Sequence, residues 1–360
     1  MKIKTVKDIQ DLILAGETNW KQYGLVSTQT SGDLIIFNYT HECAYEANWN
    51  TFECMSRGLI LNSKTGEIVA RPFDKFFNWQ EGNRTSTAKI KTITNKMDGS
   101  LGILYRQDGQ YKVSTRGSFT SDQAIWATDF LNKNHNLTQL SNELTLLFEI
   151  IYPKNRIVIN YNGKQGLVLL AARNRFTGEY LDFNEVKKIA LVHHFEVPNV
   201  SQINSIQDLT LVLPILSGNE EGFVVEFEDG QRFKFKGNEY KKLHKMISGL
   251  SFKNTVEAMK KNEIDQIKGV IPDEFLIEFD SWVAEIEETI KNFKQEVKEA
   301  FDKLPKDTRK DFALAVMKDY KHLSAYLFAV YTNQDITPLI LKHAFVNRKP
   351  EGIKTDKFEE

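Results

Sequence analysis

The stretch "TNKMDGSLGILY", residues 94–105, places a lysine in a tight turn between two segments that have the composition of strands. Lys96 stands just after the Thr-rich run "IKTIT", Asp98 and Gly99 follow it two and three positions later, and the apolar run "LGILY" begins at residue 101. A lysine amine is a nucleophile only when it is neutral. Lysines are mostly solvated surface residues, so a lysine in such a turn calls for an explanation. Gly99 permits a close backbone approach, and Asp98 is predicted to be a structural hydrogen-bond partner rather than a base.

Around this turn, residues 1–245 consist mainly of strand-like runs separated by turns. The runs include "DLIIFNY", "RGLILN", "LTLLFEIIY", "RIVINY", "GLVLLAARN", "EGFVVEFE" and "QRFKFKG", with Asp-Gly and Thr-Gly pairs as turn signals. Helical stretches are predicted near 121–133 and 184–192. Because the runs do not alternate regularly with helices, we expect an α+β domain built on antiparallel sheets.

After residue 245 the apolar spacing changes to three and four, which indicates amphipathic helices. One long face follows Phe275, Phe279, Trp282, Ile286, Ile290, Phe293, Val297 and Phe301. A second face follows Phe312, Val316, Tyr320, Leu323, Leu327 and Val330, with Asp307 as its predicted cap. Residues 246–360 are therefore predicted to form an all-helical domain without an OB fold, ending in a polar tail at 347–360.

Composition narrows the class of protein. The 360 residues carry 47 Lys and Arg against 48 Asp and Glu, which excludes a wholly basic nucleic-acid coat but not a local basic groove. No apolar run is long enough to span a membrane. Cys43 and Cys54 are predicted to be free thiols, since with His41 they lack a zinc spacing.

Several other charged residues stand in unusual settings. Lys234 and Lys236 are two apart on a predicted strand, so both point to one face, where they can grip a phosphate and disfavour the charged form of a nearby amine. Glu149 lies inside the apolar run "LLFEIIY", and Glu221 precedes a glycine and a strand. Carboxylates near a lysine suggest a divalent cation over phosphates. Taken singly, each also fits a solvated strand edge or a surface ion pair.

Taken together and in order, these residues resemble the covalent nucleotidyltransferases, and most closely the phage RNA ligase 1 family. The matching stretches are "SRGLIL", "RPFDKFFN", "KMDGSLGILY", "STRGS", "FEIIYPKNRIVINY", "EGFVVEFEDGQRFKFKG" and "EYKKLH", within about residues 35–245. K-x-D-G alone is a weak signal, whereas seven matches in order are a strong one. Walker A and G-x-G-x-x-G loops are absent from the sequence.

The resemblance implies a role for each cation. Lys96 would attack the α-phosphate of ATP, expel pyrophosphate and carry AMP. Lys234 and Lys236 would hold that phosphate. Arg57 and Lys75 would grip the outer phosphates.

The resemblance implies roles for the acids and aromatics too. Glu149 would meet the ribose hydroxyls and, with Glu221, contribute to binding Mg²⁺, for which Mn²⁺ would substitute. Phe37, Asn38 and Tyr39 match a polar-aromatic site near the nucleotide. Tyr240 matches a tyrosine needed for sealing.

The sequence departs from the family in three places. Met97 stands where the family commonly has an acid. Ser114 and Arg116 replace lysines of a further motif, and Arg keeps the charge but changes the geometry. Asp265 is the nearest candidate for a metal-binding acid of the helical domain.

The implied protein is a monomeric, ATP-dependent ligase of RNA ends in the cytosol of a phage-infected cell. Its RNA would be single-stranded or a broken tRNA anticodon loop, read by the helical domain. A DNA ligase or a GTP-using capping enzyme is the second hypothesis, disfavoured by the C-terminal helices because those enzymes place a β-rich OB domain there. The third is a non-catalytic RNA-binding module, which would be marked by loss of a charged motif residue.

Overall fold

The computed structural model describes residues 2–47, 49–269, 271 and 273–345. The chain forms two compact units, Met1–Lys242 and Leu243–Glu360. The predicted polar tail at 347–360 and the side chain of Phe275 lie outside the described residues. Within the described part, none of the helices has the length and apolar character of a bilayer-spanning helix.

Strands of the first unit form three four-stranded sheets among the described residues. They are β1 (Val26–Ser31), β2 (Leu34–Tyr39), β3 (Arg57–Asn62), β4 (Ile68–Ala70), β5 (Phe77–Asn78), β6 (Ile90–Asn95), β7 (Ser100–Gln107), β8 (Gln110–Ser114), β9 (Leu144–Ile151), β10 (Gly166–Asn174), β11 (Gly222–Phe227) and β12 (Arg232–Lys236). The strand orders are β1-β2-β3-β4, β10-β9-β7-β8 and β5-β12-β11-β6. All neighbours are antiparallel except β5 and β12. The predicted antiparallel α+β class is confirmed.

Helices complete the first unit. They are α1 (Val6–Leu14), α2 (His41–Glu46), α3 (Thr51–Met55), α4 (Asp122–Asn134), α5 (Phe183–His193) and α6 (Ile206–Val212), followed by α7 (Asn238–Ser248), which runs from the first unit into the second. The amphipathic α1 packs Val6, Ile9 and Ile13 into a core with β1, β2 and β3. A second core lies between the β7–β10 sheet and helices α4 and α5.

The second unit contains helices and no assigned strand among its described residues, as predicted. The helices are α8 (Phe252–Lys260), α9 (Ile264–Lys268), α10 (Asp273–Asp302), α11 (Arg309–Asp319), α12 (Ser324–Tyr331) and α13 (Thr337–His343). Val297, Phe312, Leu327 and Ile340 are fully buried in its core. The long apolar face predicted before residue 302 therefore coincides with one helix, α10.

Three local predictions are wrong. The second apolar face is split into α11 and α12, because Tyr320 leaves helical geometry at φ −137°, ψ 37°. Thr308, not Asp307, caps α11, and its hydroxyl accepts the Asp311 N–H. The run "RIVINY" at 156–161 is not a strand. Its buried N–H groups bind a carboxylate instead of a neighbouring strand, as described below.

Candidate active site

Lys96 lies where two sheets meet. It follows β6, which belongs to the β5-β12-β11-β6 sheet, and precedes β7, which belongs to the β10-β9-β7-β8 sheet. Its backbone N–H donates to the Gly222 carbonyl at 2.8 Å, and its side chain is only 8% exposed. Gly99 is needed for close packing, as expected, because a Cβ there would stand 2.6 Å from the Ile150 oxygen. The turn is thus fixed to both sheets.

A carboxylate sits between two of the predicted lysines. Glu221 Oε1 lies 2.7 Å from Lys96 Nζ and 3.2 Å from Lys236 Nζ, and the Glu221 side chain is fully buried. The pattern of two nearby lysines predicted an environment that disfavours the charged amine. The structure also pairs Lys96 with an anion, and an opposite charge at this distance acts against that effect. This contact holds the Lys96 amine at the sheet junction.

Asp98 anchors the turn from the other side. Its Oδ2 accepts the N–H groups of Val158 and Ile159 at 2.8 and 2.7 Å, and its Oδ1 accepts the Tyr240 hydroxyl at 2.7 Å. Tyr161 accepts the Asp98 N–H at 2.8 Å. A carboxylate with three donors is a strong acceptor, so the predicted structural role of Asp98 is confirmed. Tyr240, proposed from the sequence as a sealing residue, is buried against Asp98.

Two further motif residues, Glu149 and Lys234, lie on strands of these two sheets. Glu149 is on β9 opposite Leu101 of β7, and a Cβ at Gly99 would be 3.1 Å from its Cγ. Lys234 is buried on β12 and pairs with Val224 of β11. Its Nζ is 5.3 Å from the centre of the Phe76 ring. The sheets therefore bring Glu149 to the Lys96 turn and place Lys234 on the strand that carries Lys236.

Three cations converge on Tyr39, at the end of β2. Arg116 hydrogen-bonds the Tyr39 hydroxyl, and the Lys75 amine lies 5.7 Å from the ring centre. Burial alone would raise the pKa of Tyr39, but the charges of Arg116, Arg57 and Lys75 outweigh it and hold the pKa below its ordinary value. This cluster of side chains is electropositive and suited to an anion.

Aromatic rings that the sequence reasoning missed enclose Lys75. Its Nζ is 4.9 Å from the Trp49 ring and 5.3 Å from the Phe77 ring. Burial lowers the pKa of Lys75, and contact with aromatic faces offsets part of that cost. Trp49 lies in an irregular segment with no periodic pattern, so no local signal connected it with Lys75.

Two buried polar side-chain atoms, one at the end of β2 and one at the start of β3, have unused hydrogen-bonding capacity. Arg57 Nη1 and Asn38 Oδ1 are buried without a hydrogen-bond partner among the described residues. Asn38 and Arg57 are opposite each other on β2 and β3. Buried groups of this kind are rare unless a ligand or water satisfies them.

Phe37 does not belong to this site. It is fully buried in the core with Trp20 and Phe52, and its ring is 4.8 Å from the Trp20 ring. Neighbouring side chains on a strand point to opposite faces. The assignment of Phe37 to nucleotide binding is therefore corrected: it supports the strand from behind.

The assignment of Glu221, Glu149 and Asp265 to a metal stays a prediction. No group of three or more Asp, Glu, His or Cys is placed for a metal among the described residues. Mg²⁺ needs only one or two protein carboxylates when phosphates supply the rest, and Glu221 and Glu149 have the hard oxygen donors it prefers. Asp265 is exposed on α9 of the second unit.

Comparison with known proteins identifies the family of this chain. The RNA ligase family model of the T4 type 1 class matches residues 55–242, just over half of the chain. The "Putative bifunctional polynucleotide kinase/RNA ligase" of Autographa californica nuclear polyhedrosis virus is 32% identical over 248 residues, covering 61% of this chain and 35% of that protein. This chain thus spans about a third of that relative.

The RNA ligase of Rhodothermus phage RM378 is 22% identical and is aligned over 84% of this chain and 86% of its own. A solved Naegleria gruberi RNA ligase with AMP and Mn is 21% identical, covers 44% of this chain and 52% of its own, and has a TM-score of 0.35. Because the family model matches the stretch that contains Lys96, Glu221 and Lys236, this chain belongs to the T4 RNA ligase 1-like family of RNA ligases.

Proposed function

We propose that this enzyme is an ATP-dependent RNA ligase that joins a 5′-phosphate to a 3′-hydroxyl through AMP carried on Lys96. The observation that supports it most directly is the buried contact of Lys96 with Glu221, shared with Lys236. A lysine at a rigid sheet junction, with an acid and a second cation in contact, is suited to attack a phosphate.

In the first step the Lys96 amine would attack the α-phosphorus of ATP. A nitrogen–phosphorus bond forms and the bond to the β-phosphate oxygen breaks, releasing pyrophosphate. Glu221 Oε1, 2.7 Å away, is placed to take the amine proton. Lys236 already contacts the same oxygen and would hold Glu221 in place while Lys96 moves to the phosphate.

The other cations would hold the phosphates. Lys234 and Lys236 would stabilise charge on the α-phosphate. Arg57 and Lys75 would bind the outer phosphates and orient pyrophosphate away from the attacking amine. The unsatisfied Arg57 Nη1 supports this role, since a phosphate oxygen is the acceptor that this donor lacks.

Glu221 and Glu149 would provide carboxylate ligands for Mg²⁺, or for Mn²⁺ in its place. Such a cation would offset negative charge on the phosphates. Glu149 would also meet the ribose hydroxyls of the nucleotide. Asp265 remains a proposed ligand without further support.

In the later steps AMP would pass to an RNA 5′-phosphate, and a 3′-hydroxyl would displace it to seal the strand. Tyr240, bound to Asp98, would keep the Lys96 turn in place during these transfers. A single-stranded end or a broken tRNA anticodon loop is the proposed RNA. A monomer in the cytosol of a phage-infected cell is the corresponding proposal for its setting.

The two parts of the chain would have different functions. We assign adenylyl transfer to residues 1–245 and RNA selection to 246–360, where Lys253, Lys261, Arg309 and Lys310 are exposed and offer charge to a phosphate backbone. Replacing these four by Glu should leave Lys96 adenylylation unchanged and reduce sealing of a nicked stem-loop more than sealing of a plain strand. An unchanged ratio between the two substrates would make this unit a structural support.

The decisive experiment is incubation with α-labelled ATP and Mg²⁺, followed by mapping of the label. Wild type should be labelled at Lys96, and Lys96→Ala should not. Lys91→Ala is the matched control, because Lys91 on β6 also contacts a β11 glutamate, Glu226, at 3.0 Å. Retained label on Lys96→Ala would refute the assignment. Labelling by GTP would indicate a capping enzyme, and no labelling at all a binding module.

A further inference from the structure

The segment at residues 71–76 presents two side chains to the proposed phosphate site without any helix or strand of its own. Lys75 points into the aromatic rings beside Tyr39. The Phe76 ring lies 5.8 Å from the Arg57 guanidinium and 5.3 Å from Lys234 Nζ. A segment without a backbone ladder must be held by other contacts if these side chains are to stay in place.

Arg173 of β10 supplies three of those contacts. It is 3% exposed, and its Nη1 and Nη2 donate to the Asp74 carboxylate at 3.1 and 3.0 Å. Nη1 also donates to the Pro72 carbonyl, and Nε donates to the Gly178 carbonyl at 2.8 Å. The bidentate geometry fixes both the position and the orientation of Asp74.

Further contacts limit how this segment can move. The Arg71 N–H donates to the Thr145 hydroxyl at 3.0 Å, and the Lys75 N–H donates to the Cys54 carbonyl at 2.8 Å. Backbone contacts of this kind survive most side-chain substitutions. Arg173 is different because one replaceable side chain joins the β7–β10 sheet to the residue that precedes Lys75.

We propose that Arg173 is a positioning residue for the outer phosphates of ATP, acting through Asp74 on Lys75. The proposal rests on the proposed function, in which Lys75 meets those phosphates. Arg173 touches no substrate. It determines where the Lys75 amine stands, and displacement of about 1 Å at such a group can lower a rate a hundredfold.

If Arg173 has this role, its loss should affect some steps of the reaction and not others. Adenylylation of Lys96 by ATP needs the β- and γ-phosphates, and so does its reversal by pyrophosphate. Sealing of an RNA that already carries 5′-AMP involves neither. Loss of the Arg173 contact should therefore affect the first two reactions and leave the third, whereas general damage to the fold would lower all three.

The test compares full-length wild type with Arg173→Ala and Asp74→Asn in these three reactions. We expect the KM for ATP in adenylylation to rise about tenfold or more, and pyrophosphorolysis to weaken in parallel. Sealing of pre-adenylylated RNA should stay within about twofold. Asp74→Asn keeps the shape of the side chain, so it remains informative if Arg173→Ala folds poorly.

Arg175→Ala is the matched control. Arg175 follows β10, and its Nη1 binds Glu67 at 2.9 Å and the Ile68 carbonyl, so it holds β4 rather than the segment at 71–76. Its KM for ATP should not change. Adding Arg173→Ala to Lys75→Ala should bring little further loss in adenylylation, because both act through one amine.

An equal loss in all three reactions, an unchanged KM for ATP, or full additivity with Lys75→Ala would overturn the role of Arg173. Failure of the proposed function itself would be visible separately, since wild type would then neither form Lys96-AMP nor seal adenylylated RNA.

Discussion

Glu221→Gln removes a buried negative charge and leaves the two lysines that contact it. The carboxylate is fully buried and lies 2.7 Å from Lys96 Nζ and 3.2 Å from Lys236 Nζ. Glutamine has nearly the same shape, so the substitution changes charge more than packing. We expect the protein to lose stability and to lose adenylylation.

The size of the effect follows from the distances. With an effective dielectric constant of about 20, Coulomb's law gives roughly 6 kcal/mol for the contact with Lys96 and roughly 5 kcal/mol for that with Lys236. Desolvation of the charges offsets much of this sum, and breaking buried pairs typically costs about 3–5 kcal/mol. The loss of stability also has an upper limit of similar size, because a buried lysine in the variant can become neutral. At pH 7, removing the proton from a lysine with an ordinary pKa costs about 4.6 kcal/mol. We therefore expect a loss of about 3–5 kcal/mol.

The assay is urea unfolding at pH 7, with adenylylation measured on the same samples. Glu226→Gln is the matched control, because Glu226 on β11 also joins two cations, Lys91 at 3.0 Å and Arg232 at 2.9 Å. Its side chain is 17% exposed, so its charges are better solvated. We expect a smaller loss of stability and normal adenylylation from this control.

A loss of less than about 1 kcal/mol in Glu221→Gln would refute the reasoning, because it would show that solvent screens the contact like a surface ion pair. Adding Lys236→Met should recover part of the lost stability, because it removes one of the two cations that contact Glu221. Strict additivity of the two substitutions would likewise contradict the shared ion pair.

Three other predictions concern single side chains. Tyr240→Phe removes the hydrogen bond to Asp98, so the free energy of unfolding should fall by about 1.5–3 kcal/mol and adenylylation should slow; normal values for both would contradict this. Gly222→Ala should destabilise by about 3 kcal/mol or more, measured by thermal unfolding, since Gly222 has φ +135° and an added Cβ would lie 1.9 Å from the Phe235 oxygen. Burial raises the pKa of Cys43 from 9.0 to about 12. A raised folded pKa gives stability that is present below pH 9 and lost as pH rises toward 12, so the stability difference between wild type and Cys43→Ala should shrink between pH 8 and pH 10.5 in urea titrations.

Much of the candidate site could be predicted because its residues occupy short motifs. Lys96, Asp98 and Gly99 share one turn, and Lys234 and Lys236 share one strand face, so local spacing is enough to group them. Phe37 was assigned wrongly because a shift of one residue along a strand reverses the face.

The error at 156–161 has a different cause. Apolar alternation there indicated a strand, yet the N–H groups of Val158 and Ile159 are satisfied by Asp98. Three residues were missed: Arg173, Asp74 and Trp49. Each takes part in contacts between distant parts of the chain, and such contacts leave no periodic pattern in the sequence.

By itself, the sequence determined the α+β class and the helical second part, since both depend on local periodicity and turn chemistry, and its motifs, taken in order, pointed to the candidate nucleophile. Tertiary structure decided which charged group that lysine contacts. Antiparallel pairing of β6 with β11 sets Asn95 opposite Phe223, and this register brings Lys96 to Glu221, 125 positions later in the chain. Whether a buried lysine meets a cation or a carboxylate depends on such long-range register, because charge interactions act through space and not along the chain.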